Sequence, residues 1–424
     1  MLSPGRDVLG LERITALLDR LGNPHHNLPA VFHVSGTNGK GSTCAFLRGA
    51  IDAAGLTTHV YSSPHLVRFN ERIRVAGKLI DDVTLAALLS EVLDRAEGLE
   101  ASFFEVTTAV AFLAFARTPA DACIVEVGLG GRLDATNVIA APAVCGMASL
   151  GIDHEGFLLA PEEGTPDAPL DRIAFEKAGI AKSGVPLVCQ KYAPSMLVEI
   201  AKQAMAVGAI LLDRSEAWDA IAYEGRLHYR DKRGKLSLPL PRMTGAHQAD
   251  NAALAIAMLR HQSAIAVPEA AMSAAMEWTR WPARMQLLGK GPLTDMLPEG
   301  SQVWLDGGHN PDAGKAIAKT LEDGPPVHVI IGMLKNKDAL GFLKPFAHKI
   351  ASLHAVPIPG HDHHDPADLC QLAKTNLNIS DVRASNNVAA SLGHLAATDP
   401  TNVLICGSLY LAGEVLRLNE EVPA

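Results

Sequence analysis

Short apolar runs of β character alternate with stretches of helical periodicity along most of this 424-residue chain, the order that α/β folds with parallel sheets produce. Val31–Ser35 reads as a buried strand and Ser42–Ala54 as the helix after it. Further buried strands are predicted at His59–Ser62, Ala122–Val127, Ala143–Ser149 and Pro186–Gln190. Between Glu216 and Leu240 the pattern changes: Tyr223, Leu227 and Tyr229 alternate with polar residues, and Asp231-Lys232-Arg233-Gly234 supplies a turn, which predicts an antiparallel hairpin appended to the parallel core.

After Arg284 the α/β order restarts. Strands are predicted at Gln302–Leu305, Val327–Ile331, Leu353–Pro357 and Val403–Cys406, and helices at Ala313–Leu321, Leu340–Ile350, Pro366–Thr375 and Val388–Ala397. This half is Rossmann-like but has no G-x-G-x-x-G fingerprint, so a dinucleotide is not indicated. The Gly/Pro-rich stretch Leu287–Gly300 reads as a linker. The expectation is an N-terminal P-loop ATP-binding domain with a mostly parallel sheet (1–288) and a smaller C-terminal α/β domain (296–424).

Composition narrows the field. The chain is 48% hydrophobic and 20% charged, with 37 Lys and Arg against 46 Asp and Glu, for a formal charge of −9. An acidic balance argues against a broad nucleic-acid or anionic-membrane surface, although a few local cations and a metal can still hold an anionic substrate. Six scattered cysteines form no C-x-x-C pair and read as buried thiols of a reducing compartment. Met1–Asp7 lacks the apolar core of a signal peptide and no run reaches bilayer-spanning length, so a cytoplasmic protein is expected.

The sharpest chemical signal is Gly36-Thr37-Asn38-Gly39-Lys40-Gly41-Ser42, set between a predicted strand and a predicted helix. Glycines let successive N–H groups converge on phosphate oxygens at a helix N-terminus; Lys40 can reach the β- and γ-phosphates, and Ser42 can ligate Mg²⁺. Gly41 intervenes where the common P-loop has its hydroxyl residue directly after the lysine. Further oxygen and nitrogen ligands should collect at the carboxyl ends of neighbouring strands. Glu126, Ser63 and His154 stand there. Each alone reads equally well as a cap, a surface group or a structural histidine; together beside a P-loop they point to a metal.

Gly36–Ser42, Ser63-Pro64-His65-Leu66, Asn70-Glu71-Arg72-Ile73, Glu126–Asn137, Asp153-His154, Glu176-Lys177-Ala178-Gly179-Ile180, Asp306–Pro311 and Gly407-Ser408-Leu409-Tyr410 together resemble the motifs of folylpolyglutamate synthases, a family of the Mur ligase superfamily that in bacteria often carries dihydrofolate synthase activity. The matches run in the family's order from about Leu9 to Glu414. The resemblance implies ATP-driven amide synthesis through an acyl phosphate, with dihydropteroate or a reduced folate and L-glutamate as substrates, and a monomer that closes its domains on the nucleotide. It implies ATP, two Mg²⁺ ions and a monovalent cation as cofactors. Gly39, Lys40, Gly41, Ser42, Asn251, Arg284 and Asp306 would bind ATP; Ser42, Ser63, Glu126, His154 and a carbamylated Lys177 would hold metal. Lys40, Lys177, Arg284 and His309 would serve catalysis. Leu9, Gly10, Leu11, Phe103, Phe104, Glu105, Leu133, Asp134 and Ala135 resemble the pteroate contacts. Bland roles stand beside these: an interdomain ion pair for Arg284, a cap on the helix near Pro311 for Asp306, and core packing for the phenylalanines.

The chain departs from the family pattern at Ala283 and Asn336, where the family has Gly and Asp, and in the segment Leu158–Ala168, which is longer and more acidic than usual. His361-Asp362-His363-His364-Asp365 reads as a solvated loop, with metal binding as the other reading. A peptidoglycan-type amino-acid ligase, a P-loop phosphotransferase and a nucleotide-binding regulatory module are the rival functions.

Overall fold

The computed structural model describes residues 9–396 and 400–423, so the reading of Met1–Asp7 lies outside the described residues. The chain gathers into two compact units, one built from residues 1–64, 70–242 and 248–279, the other from 65–69, 243–247 and 280–424.

The first unit holds an eight-stranded sheet. Its strands are β1 (Ala30–Ser35), β2 (Thr58–Tyr61), β3 (Ile73–Val75), β4 (Lys78–Leu79), β5 (Ala122–Glu126), β6 (Val144–Met147), β7 (Pro186–Cys189) and β8 (Ile210–Asp213), in the order β4-β3-β2-β5-β1-β6-β7-β8. Along β2-β5-β1-β6-β7-β8 every neighbour is parallel; at the edge, β3 pairs antiparallel with both β2 and β4. The central strands are uninterrupted apolar runs because helices cover both faces. β5 and the helix Phe103–Arg117 are buried almost along their whole length. Order reverses at β1, which lies between β5 and β6, and the carboxyl ends of these three strands form the crevice where ligands of such sheets bind.

The predicted hairpin is a three-stranded antiparallel sheet: β9 (Trp218–Tyr223), β10 (Arg226–Asp231) and β11 (Gly234–Pro239). The additional turn is Glu224-Gly225, both in the left-handed region (φ 47° and 72°), so that Tyr223 pairs directly with Arg226. A two-residue turn with positive φ matches strand twist, and glycine at its second position makes it cheap.

The second unit contains β12 (Gln286–Leu287), β13 (Gln302–Leu305), β14 (Val327–Ile331), β15 (Ile350–Ala355), β16 (Val382–Ala384) and β17 (Asn402–Cys406), ordered β12-β13-β17-β14-β15-β16 and parallel except for β12. Residues 287–300 do not behave as a linker. Leu288, Leu293 and Leu297 are buried in this unit's core, and Asn419 and Glu421 bind the backbone of Gly289 and Leu293. Glycines and prolines here shape a tied loop; the leucines between them decide its burial.

Candidate active site

The phosphate loop forms as its residues demand. Gly39 sits at φ 85° directly before the helix Lys40–Ala53, a backbone state that suits glycine. A Cβ at Gly39 would overlap the side-chain oxygen of Asn251, and one at Gly36 would stand 2.8 Å from the Cβ of Ala148. Asn251, on the helix Ala246–His261, is therefore brought against the loop, with its amide donating to Gln248 (3.0 Å). The loop hangs from the end of β6: Thr37 N–H donates to Ser149 O (2.8 Å) and Thr37 Oγ1 to Gly151 O (2.8 Å).

Gly41 does not displace the hydroxyl from the anion-binding end. Lys40, Gly41 and Ser42 are the first three residues of the helix, so Ser42 lies in the turn whose N–H groups have no helical partner. Its Oγ is buried and has no hydrogen-bond partner. Lys40 Nζ curls back to donate to Gly36 O (2.9 Å) and Thr37 O (3.3 Å).

Lys177 reaches the same place from a different element. At the end of the helix Pro169–Ala178, its Nζ donates to Gly36 O at 3.0 Å, so two lysines converge on one carbonyl. Burial, followed by the charge of Lys40, pushes its pKa down from 10.5 to about 7, with Asp153, Asp134 and Glu176 opposing. Neutral pH thus leaves a large share of this amine unprotonated. The close approach depends on Gly131, where a Cβ would meet Glu176 O at 2.8 Å and Lys177 O at 2.9 Å. Gly131→Ala is expected to cost about 1–3 kcal/mol in urea unfolding through overpacking, because backbone rather than a flexible side chain stands in the way.

Glu126 ends β5 in register with Val34, only 5% exposed, and Ser63 N–H approaches its Oε2 at 3.4 Å. Glu126 and Lys40 both act electrostatically on the buried thiol of Cys44 in the phosphate-loop helix, which places the carboxylate beside that helix. His154 is exposed, at φ 54°, and opens the short helix Glu155–Leu158; Asp153 Oδ1 accepts from its N–H. Among the described residues no three His, Cys, Asp or Glu side chains gather at metal-binding separation. A metal here would rely on hydroxyls and on Lys177 as well as on Glu126 and His154. The unpartnered Ser42 Oγ and the buried Glu126 carboxylate fit such an ion.

Lys177 is framed by a charged ring. Glu176 accepts from Arg132 Nη2 (2.9 Å) and Nε (3.2 Å) and pairs with Arg172 (3.1 Å); Glu162, from the acidic segment 158–168, takes both arginines at 2.6 and 2.9 Å. The bond with Arg132 holds the Glu162 carboxyl below its usual range.

The residues expected to contact pteroate divide. Phe103 is 42% exposed with the Arg72 guanidinium 5.4 Å from its ring centre, whereas Phe104 packs against Gly128 and Tyr61. Glu105 serves the local fold: it completes a capping box with Ser102 and pairs with Arg13 at 3.1 Å. Asp134 caps the turn Ala135–Val138 and accepts from Leu129 N–H; burial raises its pKa. Leu9, Gly10, Leu11 and Leu133 are half-buried and Ala135 is buried.

In the second unit, Arg284 lies between Ala283 (φ 54°) and Met285 (φ 40°), two non-glycine residues in the left-handed region. Asp306 holds this turn: Oδ2 accepts from Met285 N–H (2.8 Å) and Oδ1 from Gly308 N–H (2.7 Å), while Gly307 N–H donates to Ala283 O. Asp306 does not cap the following helix. Asn310 does, accepting from Ala313 N–H at 3.0 Å. His309 Nδ1 bonds Gly307 O (2.9 Å). Because both oxygens of the buried Asp306 carboxylate are engaged, Asp306→Ala is expected to cost about 2–4 kcal/mol in denaturant unfolding, one desolvation penalty for each N–H left unpaired. The His361–Asp365 run is also spent on loop structure: His361 stacks on Tyr410 (3.8 Å between ring centres), and His364 bonds Lys337 O.

The parallel sheet, the phosphate loop at its switch point and the second lysine on that loop define a P-loop enzyme of ATP chemistry. A family model, dihydrofolate synthetase C-terminal domain, matches residues 293–418. The dihydrofolate synthase/folylpolyglutamate synthase of Escherichia coli K12 is 33% identical over 416 residues, covering 97% of this chain and 91% of that protein. Its counterpart in Bacillus subtilis is 31% identical over 431 residues, 96% and 94% of the two chains. Among solved structures, E. coli FolC in complex with DHPP and ADP superimposes with a TM-score of 0.85 at 31% identity, covering 99% of this chain and 95% of that one. Mycobacterium tuberculosis folylpolyglutamate synthase complexed with ADP and AMPPCP gives 0.85 at 29% identity, over 98% and 96%. A bifunctional folylpolyglutamate synthase/dihydrofolate synthase with Mn, AMPPNP and L-glutamate bound gives 0.84 at 29%, over 98% and 95%. This chain belongs to the dihydrofolate synthase/folylpolyglutamate synthase family.

Proposed function

We propose that this protein is an ATP-dependent ligase that joins L-glutamate to dihydropteroate and to reduced folates. The single observation that carries the reading in this chain is the meeting of Lys40 and Lys177 on Gly36 O, which puts a second, partly neutral amine on a phosphate loop. A simple phosphotransferase has no use for such a group.

In this reading the substrate carboxylate attacks the γ-phosphorus, ADP leaves, and the amine of glutamate then displaces phosphate from the acyl carbon. Lys40 neutralises β- and γ-phosphate oxygens, and the N–H groups of the first helical turn hold the rest. Lys177, as a neutral amine, bonds to CO₂ and releases a proton, becoming an anionic oxygen ligand. Ser42, Ser63 and Glu126 would hold one divalent ion, and His154 with modified Lys177 a second; these ions would supply Lewis-acid neutralisation of phosphate charge. Phe103, partly exposed and with Arg72 over its ring, would take the flat pterin. Arg284, His309 and Asp306 of the second unit keep the nucleotide-binding and catalytic roles implied by the resemblance, and a monovalent cation and a monomeric, cytoplasmic protein remain part of the reading.

The test is turnover. ADP release should require both L-glutamate and either 7,8-dihydropteroate or tetrahydrofolate, with the matching amide as product. Activity with only one acceptor would restrict the protein to one of the two ligase reactions. ATP hydrolysis without amide in either case would refute the assignment.

A further inference from the structure

The acidic segment 158–168 departs from the family pattern in length, yet the structure ties it into the most charged part of the first unit. Glu162 Oε2 accepts from Arg132 Nη2 (2.6 Å) and from Arg172 Nη2 (2.9 Å). The same two guanidiniums share Glu176, so two carboxylates and two guanidiniums close a ring, with Phe175 facing both arginines at 5.2 and 5.7 Å. Arg172 is only 6% exposed at its side chain. Its Nε donates to Leu158 O (3.1 Å), the last residue of the short helix that His154 opens. Leu158 N–H in turn donates to His154 O (3.0 Å), and the Leu158 side chain is buried against Gly130.

His154 itself is exposed and caps a helix of one turn, which has little stability of its own. The far end of that turn is tied down at Leu158, gripped by Arg172. Arg172 is held in place by being shared between Glu176 and Glu162. Without Glu162, two neighbouring guanidiniums would be left with one carboxylate and would repel each other. We propose that Glu162 is a positioning residue, the keystone of a clasp by which the 158–168 segment sets His154 relative to Lys177.

This inference rests on the reading of His154 as a ligand of a second divalent ion, and the experiment separates the two. Mn²⁺ binding is followed by electron paramagnetic resonance in the presence of a non-hydrolysable ATP analogue, on wild type, Glu162→Gln, His154→Ala and the neighbouring control Glu163→Gln. The wild type and the control should bind two ions. Loss of an orienting partner around a ligand typically weakens metal affinity roughly 10–100-fold, and Glu162→Gln should do this to the second ion alone. His154→Ala should lose that ion. In metal-free protein, amide exchange of residues 154–162 should quicken in Glu162→Gln and not in Glu163→Gln. Two tight ions in Glu162→Gln, with the second still lost in His154→Ala, would overturn the clasp and spare the ligand. A single ion in the wild type would overturn the ligand reading and the clasp's role with it.

Discussion

Lys177→Ala is expected to lower kcat by roughly three orders of magnitude, the scale seen when a group that stabilises transition-state charge is removed. Lys177 Nζ is buried at the phosphate loop, 3.0 Å from Gly36 O, and alanine leaves no oxygen or nitrogen in its place. If the working form is the carbamate, short carboxylic acids such as acetate or propionate should restore part of the activity of Lys177→Ala and have no effect on wild type. Unchanged activity in the variant would remove Lys177 from the mechanism. Replacing the same lysine by methionine has a signature in stability. The folded pKa of about 7 lies below the free value of 10.5, so between these values the unfolded chain binds more protons than the folded one. Stability contributed by the neutral amine is therefore full above about pH 10.5 and falls as pH drops towards 7. In chelator and without bicarbonate, Lys177→Met should be more stable than wild type at pH 7 and lose that advantage as pH approaches 10. A gain that did not change with pH would show that the buried amine is not the cause.

Lys40→Ala is the second large effect, with kcat/KM expected to fall roughly 10²–10³-fold or more. Its ammonium stands at the start of the Lys40–Ala53 helix, over the carbonyls of Gly36 and Thr37. When a triphosphate occupies the loop, those carbonyls are poor competitors for the charge, so the side chain is available to phosphate oxygens. The fold should be unharmed, because the aliphatic stem is only half-buried. Arginine should not rescue: its planar fork cannot reproduce a compact ammonium in a loop packed this closely. Rapid-quench measurement of ADP formation should place the defect in phosphoryl transfer. Retained chemistry with weakened ATP binding alone would reduce Lys40 to an anchor.

Much of this was legible in the order of residues. The phosphate loop could be read because its chemistry is local: Gly36 and Gly39 take backbone states and close approaches that larger residues resist, and Lys40 and Ser42 follow directly. The central strands were legible for a similar reason, since a strand buried on both faces must be a continuous apolar run, as in Cys123-Ile124-Val125. Where sequence reading failed, the deciding interaction was distant. Leu287–Gly300 has linker composition, but Asn419 and Glu421, more than a hundred residues on, tie it down. Asp306 precedes a helix and looks like its cap, yet its carboxylate turns back to Met285. At Glu105 the sequence did not show the ion pair with Arg13, far away in the chain.

By itself, then, the sequence determined the α/β class, the phosphate loop with its inserted Gly41, and the ordered motifs that place the chain among folate ligases, because each depends on neighbours within a few residues. Only the tertiary structure decided which charges meet. Lys177 arrives at Gly36 from 141 positions away, Glu162 bridges Arg132 and Arg172, and burial then lowers the lysine's pKa to about 7. Such pairings depend on dielectric surroundings and on distances between elements, which no local run of residues encodes.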